Sequence, residues 1–492
     1  SNGRLAADED GKLLAAEIDL ALEHGAYPET AGILQSKAMR FICYGLKIPN
    51  IKAIGRAILS NNSYAIPYRS FGSPQMYTVA GQLIDMLAKK MGMDPYDFCQ
   101  LNAIEPGDTT ANSRPYHYYS VAELLETLRP YWDESLKWKA EDTGDGKLRG
   151  VGLAMGGFHV SEDADICEVW LELNPDGSVS HYNCWQEMGQ GGDASSVVFT
   201  IEALKPLGLK PDQVRLIKDD TGKAPFHGPS AASRSHYVSG NATLIAGQKM
   251  LDAMRKADGT YRGYDEMKAD GLETLFKGEW SSVDEREALS PDTGEGNPMM
   301  DHNHIVQVSR IEADPSSGKI DLIAVHSAAD VGVIGNKLTV EGQAIGGLAH
   351  AIGYALKEEY SDFKKQYENM IGCGILSCNE IPDDIEFSYV ETPREGGPFG
   401  SGGASECFQS CGHVSVLNAI NDALGIRIYE IPATPDKILA ALEAKAQGRE
   451  LKPEKWYLGD SLDDIIEDIK ANPVAVPDDE TATKEIDVTA IM

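Results

Sequence analysis

Three stretches of the chain alternate apolar and polar residues on either side of a turn rich in Asp, Pro, Ser and Gly. They cover residues 5–22 around Asp8 to Gly11, residues 166–185 around Asn174 to Gly177, and residues 306–328 around Asp314 to Gly318. Alternation with a period of two, closed by such a turn, predicts a β-hairpin. After each hairpin the chain passes through glycine-bearing loops into segments whose apolar residues recur at helical spacing. Helices are predicted over residues 76–91, 241–254, 340–356 and 412–424. Asp94 and Pro95 read as the N-cap and first-turn proline of another helix, and Asp193 as the N-cap of one starting at Ala194. The fold class expected is α+β, built from repeated hairpin-plus-helix subdomains. Identity among the three stretches is poor, so the repetition is architectural.

A chain of 492 residues exceeds what one hydrophobic core usually serves. Polar stretches at 140–150 and 281–297 suggest boundaries. The expected division is 1–140, 141–445 and an acidic tail over 446–492 that stays extended. The formal net charge of −32 argues against nucleic acid or an anionic membrane as partner. No segment is apolar for long enough to span a bilayer, and residues 1–20 lack a basic start followed by an apolar run. A cytoplasmic location is therefore expected. The eight cysteines are scattered, with no C-x-x-C pair or tight four-cysteine run. That pattern fits neither a disulfide scaffold nor a zinc or iron–sulfur site, and it reads as buried small hydrophobes.

The candidate chemistry gathers in residues 395–419. Gly396, Gly397, Gly400, Gly402 and Gly403 precede a lone acid, Glu406, and then a helix. Glycines let backbone approach a ligand closely, and a helix N-terminus offers unpaired N–H groups to an anion. The stretch reads either as an anion cradle with an acid beside it or as a plain helix-entry loop with a surface glutamate. Three further loops have the same form, at residues 68–75, 186–193 and 228–235. Backbone donors, hydroxyls and an occasional arginine suit phosphate or pyrophosphate, so four such loops favour a large anionic cofactor. None matches a P-loop or a Rossmann fingerprint.

In order and spacing, the four loops resemble the molybdenum-binding region of the xanthine oxidase/aldehyde oxidase family. Residues 68–75 resemble its FRG-(F/Y)-G-x-PQ loop and residues 187–191 its (E)MGQG pterin loop. Residues 228–242 resemble its G-x-S-x-x-SR…GNA loop, and residues 397–406 its GPFG…G-(V)-GE segment. The resemblance extends to about Lys445 and is nearest to bacterial aldehyde oxidoreductases that use molybdopterin cytosine dinucleotide. It implies the family's molybdopterin-binding fold and oxidation of an aldehyde to a carboxylic acid, with water as oxygen source. The molybdenum is then held by the pterin dithiolene with no direct protein ligand, and Glu406 matches the catalytic base. Alternatives are dehydrogenation of an N-heterocycle such as nicotinate or a purine, or a degenerate, non-catalytic assembly subunit.

The resemblance also implies roles residue by residue. Tyr68, Arg69 and Phe71 fall in the substrate pocket, with Phe71 as its aromatic wall. Ile33 aligns near a position where purine-oxidising members carry an arginine, which leans toward aldehydes. Ser70, Met188, Gly189, Gln190 and Gly191 face the cofactor. Ser230, Ser233, Arg234 and Ser235 grip its pyrophosphate or cytidine end, and Gly402, Gly403, Ala404 and Ser405 line it beside the base. Three departures bear on pocket shape: Ser70 and Ser405 stand where glycine is usual, and Cys407-Phe408 replaces Leu-Pro. The family's iron–sulfur and flavin modules and its first molybdenum subdomain are not in this sequence. Iron–sulfur clusters and that subdomain are therefore expected on partner chains.

Overall fold

The computed structural model describes residues 1–161, 165–218, 220–282, 286–360, 369–452 and 471–472. Ser1–Lys452 form one compact unit. Of the expected acidic tail, residues 453–470 and 473–492 lie outside the described residues.

The chain repeats one sequence of elements three times. The first copy is β1 (Asn2–Ala7), β2 (Leu13–Glu23), α1 (Ala31–Met39), β3 (Asn50–Ile58) and α2 (Ser73–Lys90), followed by α3 (Pro95–Leu101), α4 (Val121–Ala140) and β4 (Leu148–Val160). The second is β5 (Ile166–Leu173), β6 (Val179–Tyr182), α5 (Gly192–Ala203), β7 (Val214–Ile217) and α6 (Arg234–Met254), followed by α7 (Tyr264–Ala269) and β8 (Leu275–Ser281). The third is β9 (Asp301–Ala313), β10 (Ile320–Asp330), α8 (Lys337–Leu356), β11 (Asp384–Tyr389) and α9 (Gly412–Leu424), after which α10 (Pro435–Ala446) closes the unit.

In each copy the hairpin strands are antiparallel and the next strand joins the second one in parallel. A parallel neighbour needs a crossover, and the helix between supplies it. The resulting sheets run β1-β2-β3, β7-β6-β5-β8 and β11-β10-β9-β4. All three hairpins expected from alternation are present with their turns. Alternation revealed the hairpins but not β3, β7 and β11, whose partners lie dozens of residues away.

The last helix of each copy packs on its sheet, α2 on β1, α6 on β5 and β8, and α9 on β4 and β9. Two of these contacts depend on a strand glycine. A Cβ at Gly278 would lie 1.9 Å from the carbonyl of Ala242, and one at Gly152 would lie 2.0 Å from that of Ser415. Backbone therefore rests on backbone where a side chain would hold the layers apart. The largest buried cluster runs from Ile18 and Leu20 through Phe41, Met76 and Phe98 to Val306, Val308 and Val414. It joins the first copy to the third.

Several local expectations hold. Asp94 caps α3 by accepting from the N–H groups of Tyr96 and Asp97. The helix over 412–424 has the bounds expected, ending at Gly425 with φ +63°. Asp193 differs: it lies inside the first turn of α5, whose N-cap is Gly191. The helix expected from Asn241 begins earlier, at Arg234. Among the described residues no helix is long and apolar enough to cross a membrane.

Candidate functional site

Three of the four glycine- and serine-rich loops occupy the same junction, between the third strand and last helix of a copy. Residues 68–72 lead into α2, residues 228–233 into α6, and residues 395–411 into α9. The fourth, residues 186–191, leads into α5. The repeat thus presents equivalent loops together, although they are far apart in sequence.

Glu406 stands where these loops meet. It is 9% exposed. Ser233 Oγ donates to its Oε2 at 3.0 Å and accepts its backbone N–H at 3.1 Å. Ser405 Oγ lies 3.1 Å from the same Ser233 oxygen. Ser70 Oγ donates to the Glu406 carbonyl at 2.5 Å. Arg69 donates through Nε to the Ser405 carbonyl at 2.7 Å, and through its other arm to the carbonyl of Gln343 at 3.0 Å and its Oε1 at 3.1 Å. Desolvation by burial raises the Glu406 carboxyl above its ordinary range, opposed by the charge of Lys37, the Ser233 hydrogen bond, the charge of Arg69 and a hydrogen bond from the Ser70 backbone. A carboxyl in this state holds a proton more readily than a surface glutamate does.

The backbone around the acid is bent to make these contacts. Ser70, Phe71, Ala232, Ser233 and Phe399 all have positive φ, a conformation non-glycine residues rarely adopt. At Gly403 a Cβ would lie 1.8 Å from the carbonyl oxygen of Ser233, so only glycine fits. Asn303 donates its amide to the Gly403 carbonyl, and Asp301 and Asp330 pair with the fully buried Arg394 behind the loop.

Other expected site residues are placed differently. Ile33 is 47% exposed, whereas Lys37, one turn on in α1, is fully buried. The Lys37 ammonium sits 5.5 Å from the centre of the Phe71 ring, 4.6 Å from that of Phe158, and 3.3 Å from the Ser161 carbonyl it donates to. The side chain beside Phe71 is thus a cation. Tyr68 is half-exposed against His350, with ring centres 5.3 Å apart. Arg234 turns inward, paired with Asp165 and donating to the carbonyls of His227 and Pro229 at 3.0 and 2.8 Å. Its guanidinium braces its own loop, and Asp165 supplies a buried counter-charge.

The loop at 186–191 is closed on itself. The Glu187 carboxylate accepts from the N–H groups of Gly189, Gly191 and Asp193 at 2.8, 3.1 and 2.9 Å. Burial works against its charge, but these three bonds prevail and hold it below its ordinary range. The donors expected to cradle an anion there are taken. Gln190 binds back to the Gln186 carbonyl, and Gln186 Oε1 accepts from the N–H and hydroxyl of Ser230, which ties this loop to the next. Met188 is 70% exposed, and a Cβ at Gly189 would meet nothing within 4 Å. Ser235 Oγ is buried without a hydrogen-bond partner among the described residues. An open face over Gly189 and an unused hydroxyl at the head of α6 fit a flat cofactor with a polar tail.

Sequence reasoning missed Lys37, Gln343, Asn303 and Arg394. Lys37 carried a signal, since it shares the apolar face of α1 with Ala31, Leu34 and Ala38. The run Asp301-His302-Asn303-His304 at the head of an apolar strand was another, and all four residues are buried.

A family model described as a molybdopterin cofactor-binding domain matches residues 127–382, and a second of the same description matches residues 1–103. The aldehyde oxidoreductase of Megalodesulfovibrio gigas is 35% identical over 444 residues, which span 90% of this chain and 49% of the relative. A probable xanthine dehydrogenase subunit of Bacillus subtilis is 24% identical over 466 residues, 89% of this chain and 61% of the relative. The crystal structure of the aldehyde oxidoreductase from Desulfovibrio desulfuricans superposes with a TM-score of 0.86 at 38% identity, covering 89% of this chain and 48% of that one. The chain thus spans about half the length of the aldehyde oxidoreductases it matches.

Proposed function

The chain belongs to the xanthine oxidase/aldehyde oxidase family of molybdopterin-binding proteins, and on that footing we propose that it is the second molybdenum domain of an aldehyde oxidoreductase with Glu406 as catalytic base. The observation that carries this is the buried Glu406 at the meeting point of loops from all three copies, held by Ser70, Arg69 and Ser233.

When bound, the molybdopterin centre supplies Lewis-acid and two-electron redox chemistry. The chain's own residues provide the rest. Glu406 accepts the proton of the water that delivers the oxygen, and its raised affinity for protons suits a base working near neutral pH. Arg69 fixes the Ser405–Glu406 backbone, so the acid does not swing. Phe71 forms one wall of the substrate pocket. The open face over Gly189 and the Ser235 hydroxyl fit a bound molybdopterin, which on this reading carries the cytosine dinucleotide. On this reading, iron–sulfur clusters that would take up the electrons, and the remaining wall of the pocket, would be supplied from outside this chain.

One observation favours a second reading, an N-heterocycle dehydrogenase. A probable xanthine dehydrogenase subunit is among the relatives of this chain. A substrate panel of benzaldehyde, nicotinate and xanthine, run on the purified complex, separates the two. Molybdenum analysis with release of CMP on acid hydrolysis tests both. Absence of both molybdenum and CMP would leave only a non-catalytic assembly role.

A further inference from the structure

Two serines from separate loops meet at the same acid, and the hydroxyls of Ser70 and Ser405 end within one hydrogen-bonded cluster around Glu406. Ser70 keeps the positive φ of +71° that glycine tolerates better, so its side chain is held there against a backbone penalty. Its hydroxyl is bonded to the Glu406 carbonyl. Ser233 has the same left-handed conformation, φ +53°, and its carbonyl presses on Gly403.

The Ser233 oxygen has one proton and two lone pairs, and each has a partner. A carboxylate only accepts, so the Ser233 proton goes to Glu406 Oε2 at 3.0 Å. One lone pair takes the Glu406 N–H at 3.1 Å. The other takes the Ser405 proton at 3.1 Å. A hydroxyl that accepts two hydrogen bonds is a better donor in the third. The chain Ser405–Ser233–Glu406 thus stabilises charge on one carboxylate oxygen and fixes its plane. Lys37 of α1 and Arg69 are the charged groups that act on the same carboxyl.

We propose that Ser233 and Ser405 are positioning residues: Ser233 binds Oε2 of Glu406, Ser405 orients the Ser233 hydroxyl, and together they fix the plane in which the carboxylate accepts the proton. The proposal rests on Glu406 being the base, and it deepens that reading by assigning the hydroxyls that hold its carboxylate.

The test uses the intact complex prepared without molybdenum. Glu406 is titrated by infrared difference spectroscopy of its carboxyl band, with Glu406→Gln marking that band. Removing a hydrogen bond to a charged carboxylate raises its pKa, so Ser233→Ala should move the midpoint up by about 1 pH unit. Ser405→Gly should move it in the same direction by less. Ser405→Gly acts at a position that is not among those with positive φ, so it keeps the test open should Ser233→Ala fold poorly. In the loaded enzyme the acid limb of kcat/KM should shift likewise, and kcat should fall about tenfold while KM changes little. An unmoved midpoint in the folded variants overturns the proposal even where Glu406→Gln is inactive. An active Glu406→Gln enzyme overturns the base reading beneath it.

Discussion

The α-carbon of Gly403 faces the carbonyl oxygen of Ser233 so closely that a β-carbon there would lie 1.8 Å away. This contact sets how near the loop carrying Glu406 comes to the loop heading α6. Gly403→Ala should push the two apart. The expected cost is about 1–3 kcal/mol of stability, read from thermal or denaturant unfolding. Activity should fall further than stability does, because Ser233 would no longer reach the carboxylate.

Glu406→Gln keeps the size of the side chain and removes the proton acceptor. Turnover should drop by about 10²–10⁴-fold while molybdenum content stays unchanged. The folded-state pKa of Glu406 is raised, so this group contributes stability below its unfolded pKa and loses it as pH rises through the folded value. Above its unfolded pKa the buried acid therefore opposes folding, and Glu406→Gln should melt at a higher temperature than the parent. Thermal unfolding at pH 7 checks this.

Arg69→Lys should lose most of the rigidity of the loop. One guanidinium serves the Ser405 carbonyl and both oxygens of Gln343, a set that a single ammonium cannot span. The kcat/KM should fall by about 10–100-fold, as expected when charged hydrogen bonds of about 1.5–3 kcal/mol are lost.

Several buried histidines set the acid limit of the fold. Burial pushes His181 and His413 down to about 3 and His236 and His304 down to about 4. Their folded pKa values lie below the unfolded value near 6.5, so the stability they contribute is present above it. That stability is lost as pH falls from about 6.5 toward about 4, because the unfolded chain binds protons the folded chain refuses. Melting temperature should decline across that window, and unfolding should take up protons. A melting temperature that is flat from pH 6.5 to 4 would contradict this.

Much of this molecule was legible in the sequence, for local reasons. Hairpins follow from period-two alternation around turns such as Asn174 to Gly177, whose pairing is decided within twenty residues. The α9 helix follows from its 3.6 spacing and from Gly425 at its end. The four loops were visible from composition, and their joint order from resemblance. Three matters were decided only by tertiary structure. The parallel strands β3, β7 and β11 depend on crossovers, and no local period marks a partner across them. The identity of the side chain beside Phe71 depended on which face of α1 is buried, and that face carries Lys37 in place of Ile33. The surroundings of Glu406 came from residues 172 to 336 positions apart in the chain. Sequence fixes which groups are present and how each segment bends. Only the packing of three copies of one repeat brings Ser70, Ser233, Ser405 and Glu406 within hydrogen-bond distance, because such bonds act over a few ångströms and leave no trace in spacing.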